Sequence, residues 1–245
     1  MISVRELHYE FKQECDKIDS LGNAGFLPHQ VDSYLNKGIR SWFNDHYDTS
    51  RDGRGFETTE RQVERLGDFH VLSPQLQPEI IPVNIGNGIY EVKLSDLLYN
   101  YAYITKVEIN GFKPNCDAEN MRAIYYRTND VQNFYKASSW KWKTVYYSIG
   151  NSSDGEGKSI YINTANEFEL AGIFISYLKW PVDVYFGGYS HINGQASYQS
   201  PSPPIDSDVD YNFRDEVVSY AVEQAKMDVG DNTWQISRNR IELNK

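Results

Sequence analysis

Apolar side chains between residues 212 and 229 (NFRDEVVSYAVEQAKMDV) recur with the period of an α-helix and cover far more than one stripe of it. At ~100° per residue, Phe213, Val217, Tyr220, Ala221 and Met227 fall on one flank. Val218, Val222, Ala225 and Val229 fall on the adjoining one, and only Asp215, Glu216, Ser219, Glu223 and Lys226 form a continuous polar strip. The spacing predicts a helix buried on two sides, laid between its own domain and something else, such as another subunit. Asn212 is placed to cap its first turn, Asp215 and Glu216 suit the positive end of its dipole, and Gly230 sits where a left-handed residue ends a helix.

The N-terminal third repeats this grammar. Val4, Leu7, Phe11, Cys15 and Ile18 recur at three and four, with Ser3 and Glu6 at capping-box spacing, and predict a helix over 3–21. Pro28 is suited to start a second helix, in which Val31, Leu35, Ile39, Trp42 and His46 share a face and Gly38 marks a close helix crossing. A short third helix is expected from Thr59 to Gly67. From Ser73 the period changes to two. Ile81, Val83 and Ile85 alternate up to Gly86-Asn87-Gly88, and Tyr90, Val92 and Leu94 alternate beyond it, which predicts a hairpin. Further strands are expected at 103–110, 121–127, 141–149, 159–163 and 170–178, before a Pro-, Gly- and Ser-rich linker. The reading is an α+β fold, a helical layer from both chain ends with an inserted, mainly antiparallel β domain. Its parts are a helical 1–72, a β domain 73–189, a linker 190–211, and a C-terminal helix and tail 212–245 that pack with 1–72.

Composition narrows the function. The formal net charge is −10, with 34 acidic against 24 basic residues, so tight wrapping of nucleic acid is disfavoured while passive contact with passing DNA is not. Aromatic residues make up 14% of the chain, which suits strands and broad contacts rather than coiled coil or disorder. Cys15 and Cys116, the two cysteines, lie in different expected elements and read as free thiols. Residues 1–10 have no apolar signal-peptide core, and no stretch is long and apolar enough for a membrane span, while the free-thiol reading of the cysteines suits a reducing cytoplasm.

Candidate chemistry is thin. Residues 155–159 (GEGKS) evoke a phosphate loop, yet the first glycine of that motif would be Ser152, and the following Ile160-Tyr161-Ile162 reads as strand rather than helix. Asp206, Asp208 and Asp210 have the spacing of calcium ligands, but Tyr211 stands where the glycine belongs and Val217 where the bidentate glutamate belongs. The histidines His8, His29, His46, His70 and His191 form no closely spaced ligand pair. Carboxylates are plentiful, so an unrecognised glycan hydrolase stays open as an alternative. Trp140 and Trp142 share one face of a strand: exposed, they form a stacking platform for a carbohydrate- or protein-binding module, and buried, they fill the core, the reading favoured here.

Three segments together resemble the tail-adaptor, or head–tail connector, ring proteins of short-tailed, crAss-like bacteriophages. They are the N-terminal helices with Phe26-Leu27 and Trp42, the strand 173–181 (IFISYLKWP) with Tyr177 and Pro181, and the C-terminal block with Phe213, Glu216, Val217, Val218, Ala221 and Val222. The resemblance implies a non-enzymatic virion component without cofactor, metal or catalytic residues. It would form a homo-oligomeric, dodecameric ring between portal and tail, around the DNA channel, beside neighbouring tail ring proteins. On that reading Phe213, Val217 and Tyr220 are expected at a subunit or ring–ring interface. The tail 231–245 joins them: Trp234 and Ile236 alternate, as do Ile241 and Leu243, so each pair points to one side of an extended segment. Arg238 and Arg240 lie between the pairs, and the tail is expected to dock on a neighbouring subunit.

Overall fold

The computed structural model describes residues 1–16, 26–47, 65–113, 118–126, 145–164, 166–192, 195–198 and 202–229. The chain divides into two compact units, one formed by Met1–Asp68 with Pro181–Lys245 and the other by Phe69–Trp180.

The first unit holds three helices, α1 (Val4–Asp16), α2 (Pro28–Tyr47) and α3 (Arg214–Val229). Helix α1 buries Val4, Leu7, Phe11 and Cys15, the stripe its spacing predicts. Its first free amide, that of Val4, donates to the Asp206 carboxylate at 2.8 Å. Glu6 does not close the expected box. It accepts from Arg214 Nη1 at 2.7 Å and Tyr211 Oη at 2.9 Å, tying α1 to the start of α3. Helix α2 starts at Pro28 as expected, with the Leu27 amide donating to Gln30 Oε1 at 2.9 Å. Helix α3 is preceded by a 3-10 turn, Tyr211–Phe213, which Asp210 caps by accepting from the Asn212 amide. Thus Asp210 takes the capping role assigned to Asn212. Helix α3 packs against both α1 and α2, so the two sides that its apolar circumference requires are supplied within the unit. A Cβ added to Gly38 would lie 2.6 Å from the Ala221 amide nitrogen, which identifies the close crossing of α2 and α3. Beyond α2 the segment before α3 carries a two-stranded hairpin, β9 (Ser190–Ile192) with β10 (Gln195–Ser197).

The second unit is one eight-stranded sheet, ordered β1-β8-β4-β5-β6-β7-β3-β2 and curled into a half-barrel. Its strands are β1 (His70–Val71), β2 (Val83–Gly86), β3 (Ile89–Lys93), β4 (Tyr101–Phe112), β5 (Glu119–Tyr125), β6 (Val145–Asn151), β7 (Lys158–Asn163) and β8 (Glu169–Lys179). Neighbours are antiparallel except β5 and β6, which run parallel. Val107, Ile109, Ile160, Ile162, Ile173 and Ile175 form the centre of its core.

The expected fold class is therefore corrected. The fold is a mixed α/β one dominated by this sheet, with three helices among the described residues, and not a helical layer with an inserted β domain. The β4–β8 pairing shifts register at three places, and each shift reverses which face the following residues take. Local alternation marks single strands, while their union into one eight-stranded sheet is decided by pairings between segments far apart in the chain, such as β1 with β8. No helix among the described residues is long and apolar enough to cross a membrane.

Candidate functional site

Polar side chains in the first unit converge on two carboxylates. Asp32, on the buried face of α2, meets His8 Nε2 at 2.6 Å through one oxygen. Its other oxygen accepts from the Phe186 amide at 2.9 Å and from the Tyr189 hydroxyl. Burial, and then the neighbouring Asp32 carboxylate, push the Tyr189 phenol far above its ordinary value, so the proton stays on tyrosine. Glu216, on α3, accepts from Trp42 Nε1 at 3.0 Å and from Arg65 Nη2 at 2.7 Å. His46 donates from Nδ1 to the Trp42 carbonyl at 2.7 Å and offers Nε2 to Arg65 Nη1. Burial lowers the His46 pKa, and the Arg65 charge lowers it further, against the raising effects of the Trp42 carbonyl and Glu216. A neutral imidazole is the form that can accept from arginine. Both carboxylates are thus held by donors of the fold, in the way buried charge requires.

A cavity of about 470 Å³ opens beside Asp32, lined among others by His29, Asn36, Lys37, Arg40, Asp183 and Tyr189. Arg40 forks onto both Asp183 oxygens at 2.9 and 2.8 Å, and Lys37 pairs with Asp228 at 3.0 Å. Asn36 exchanges two hydrogen bonds with the Val184 backbone. The Arg40 and Asn36 contacts fasten the 182–189 segment to α2, and the Lys37 pair ties α2 to α3. A nucleophile paired with a base is not among them.

The interface residues expected from the sequence fall in different places. Val217 and Tyr220 are buried inside the unit, and Tyr220 donates to Asp45 at 2.6 Å, so neither presents a surface to a second subunit. Phe213 is partly buried and packs on Trp42, with ring centroids 5.6 Å apart and the Arg65 guanidinium over its face. Trp234, Ile236, Arg238, Arg240 and Ile241 lie outside the described residues, as do Trp140, Trp142 and Cys116. The GEGKS segment is the end of the β6–β7 loop and the first two residues of β7, as its following residues indicated. The three aspartates diverge: Asp206 caps α1, Asp208 accepts from the Val182 amide, and Asp210 caps the turn before α3. Among the described residues no cluster of His, Cys, Asp or Glu could hold a metal ion.

The second unit carries the feature that sequence reasoning missed. In the β2–β3 hairpin, Val83 stands opposite Glu91 and Asn84 opposite Tyr90. Directly opposed residues share a face of the sheet. Tyr90 and Val92 enter the core, so Glu91 and Val83 lie on the other face. Glu91 is covered there by the β6–β7 loop. It accepts from Ser152 Oγ at 3.1 Å, the Ser153 amide at 2.9 Å, and Tyr161 Oη at 3.0 Å. Burial alone would raise its carboxyl; these bonds, with that from the Ser153 hydroxyl, outweigh it and bring the pKa down to about 2. Among the described residues the neighbouring apolar side chains are left exposed. Ile81 is 80%, Val83 62% and Ile85 46% exposed, on or beside the outermost strand of the sheet. Residues 80–90 (IIPVNIGNGIY) contain no charged side chain. Sheet edges are ordinarily guarded by charge, by proline or by a bulge; here Pro82 and the bulge at Ile85 stand without any charge.

Neither a family model nor any curated protein matches the chain.

Proposed function

We propose that the chain is a non-enzymatic structural subunit of a bacteriophage virion, an adaptor ring protein assembled between portal and tail around the DNA channel. The observation that carries the self-associating part of this reading is the uncharged edge of the half-barrel sheet, with Ile81, Val83 and Ile85 in solvent. Exposed apolar rows of this kind mark surfaces that are covered in an assembly. The identity of that assembly rests on the sequence resemblance above. Two features support it. Asp32, Glu216 and Glu91 are each held by hydrogen-bond donors of the fold, the arrangement of a structural carboxylate. The net charge of −10 favours a wall past which DNA slides over one to which it adheres.

The test is cryo-electron microscopy of particles that contain the protein, with the mass of the purified chain measured alongside. A closed ring, dodecameric on this reading, next to the portal is the expected result. Particles in which the chain is absent from the head–tail junction would refute the assignment.

A further inference from the structure

We infer that the β2 edge is a receptor for the C-terminal segment 231–245 of a second copy of this chain, which adds a strand outside β2 and covers Ile81, Val83 and Ile85. The inference rests on the ring reading and gives it a contact.

Two independent patterns meet here. The edge offers Ile81 and Val83 two residues apart and Ile85 at the bulge, all exposed among the described residues, beside backbone groups of an outermost strand. Addition of an extended segment to such an edge supplies main-chain hydrogen bonds, while pockets between alternate side chains supply specificity. The chain beyond Val229 holds 16 residues, among them the pairs Trp234 with Ile236 and Ile241 with Leu243, each spaced at two. A strand pairing with β2 ahead of the bulge would lay one such pair beside Ile81 and Val83, which share the spacing of two, with Ile85 flanking the contact. Fifteen residues span up to ~50 Å when extended, enough to leave one subunit and reach the next.

A two-fold pairing of β2 with another β2 is the competing arrangement. It would bring together two four-residue strands, each preceded by Pro82 and interrupted by a bulge, and a two-fold contact closes at a dimer. Tail-to-edge docking uses two different surfaces, so it is heterologous, and a repeated heterologous contact closes into a ring when its rotation divides the circle and runs on as a filament when it does not.

The test uses the full chain, the chain truncated after Gly230, and a fluorescent peptide of residues 231–245. The substitutions Val83→Lys and Ile85→Lys are made together; both side chains are exposed, so the fold tolerates them, which circular dichroism checks. Expected results are assembly of the full chain, a monomeric truncated chain, and peptide binding to the truncated chain that weakens at least tenfold with the two lysines. Absence of peptide binding, or binding indifferent to the lysines, overturns the inference. Assembly that survives truncation but not the lysines assigns the edge to β2–β2 pairing and overturns it too. A full chain that stays monomeric with its edge protected from peptide shows docking within one copy, and the second-copy assignment is then wrong. A ring seen in particles made with the truncated chain preserves the ring reading while refuting the tail contact.

Discussion

The substitution Gly38→Ala tests the packing of α2 on α3 by the sign of its effect. Alanine is the better helix former by about 1 kcal/mol, so in an uncrowded helix this change stabilises. At Gly38 the added Cβ would lie 2.6 Å from the Ala221 nitrogen, 2.7 Å from its Cα and 2.8 Å from its Cβ. Carbon contacts are favourable only from ~3.5 Å outward, and two of the three obstructing atoms are helix backbone, which no rotamer change removes. The helices must therefore part by ~0.8 Å, and gaps of that size forfeit a quarter to a half of each contact alongside. Leu35, Ile39, Val217, Val218 and Val222, all buried, are the contacts at risk. Overpacking of this kind costs up to about 3 kcal/mol; less the gain in helix propensity, the net loss is ~2 kcal/mol. In a chain of this size that lowers the melting temperature by about 4–8 °C. Urea and thermal denaturation followed by circular dichroism measure it. Adding Ala221→Gly removes only the Cβ contact and leaves the two backbone ones, so it restores less than half of the loss. A Gly38→Ala protein that melts at or above the parent temperature refutes the close crossing.

Other outcomes follow from the same geometry. Glu91→Gln removes a carboxylate held by several donors and lowers stability at pH 7 by ~2–3 kcal/mol in urea titration. The folded carboxyl titrates at about 2 against an ordinary 4.5, so its contribution is complete above about 4.5 and fades as pH falls toward 2. Acid denaturation of the variant should be correspondingly shallower in that window, and an unchanged acid limb would contradict the assigned network. Asp32→Ala removes the acceptor shared by His8, Tyr189 and the Phe186 amide, at a cost of ~2–4 kcal/mol; a loss below ~0.5 kcal/mol would mean that the network contributes nothing. Gly88→Ala meets a φ of +71° and a Cβ position 2.4 Å from the Asn166 nitrogen. It should cost ~1–3 kcal/mol, and a neutral result would show the turn to be differently built.

Local periodicity in this chain specifies which side chains share a face, and little more. The stripes of α1 and α2, the hairpin at Gly86-Asn87-Gly88, the tight spot at Gly38 and the failure of the phosphate-loop motif all depend on neighbours a few residues apart, and all were legible. What covers each face depends on partners far away along the chain. Helix α3 had the composition of an element buried on two sides, and only packing revealed α1 and α2 as those sides rather than another subunit. Asp206 looked like part of an acidic linker, and it caps a helix 202 residues earlier. The two apolar rows of the β2–β3 hairpin were indistinguishable by alternation. The pairing of Val83 with Glu91 puts Val83 on the face opposite Tyr90 and Val92, which enter the core, and leaves Val83 in water. A strand's alternation is the same whichever face is inward, and the choice is made by cross-strand register, a tertiary property that no local pattern encodes.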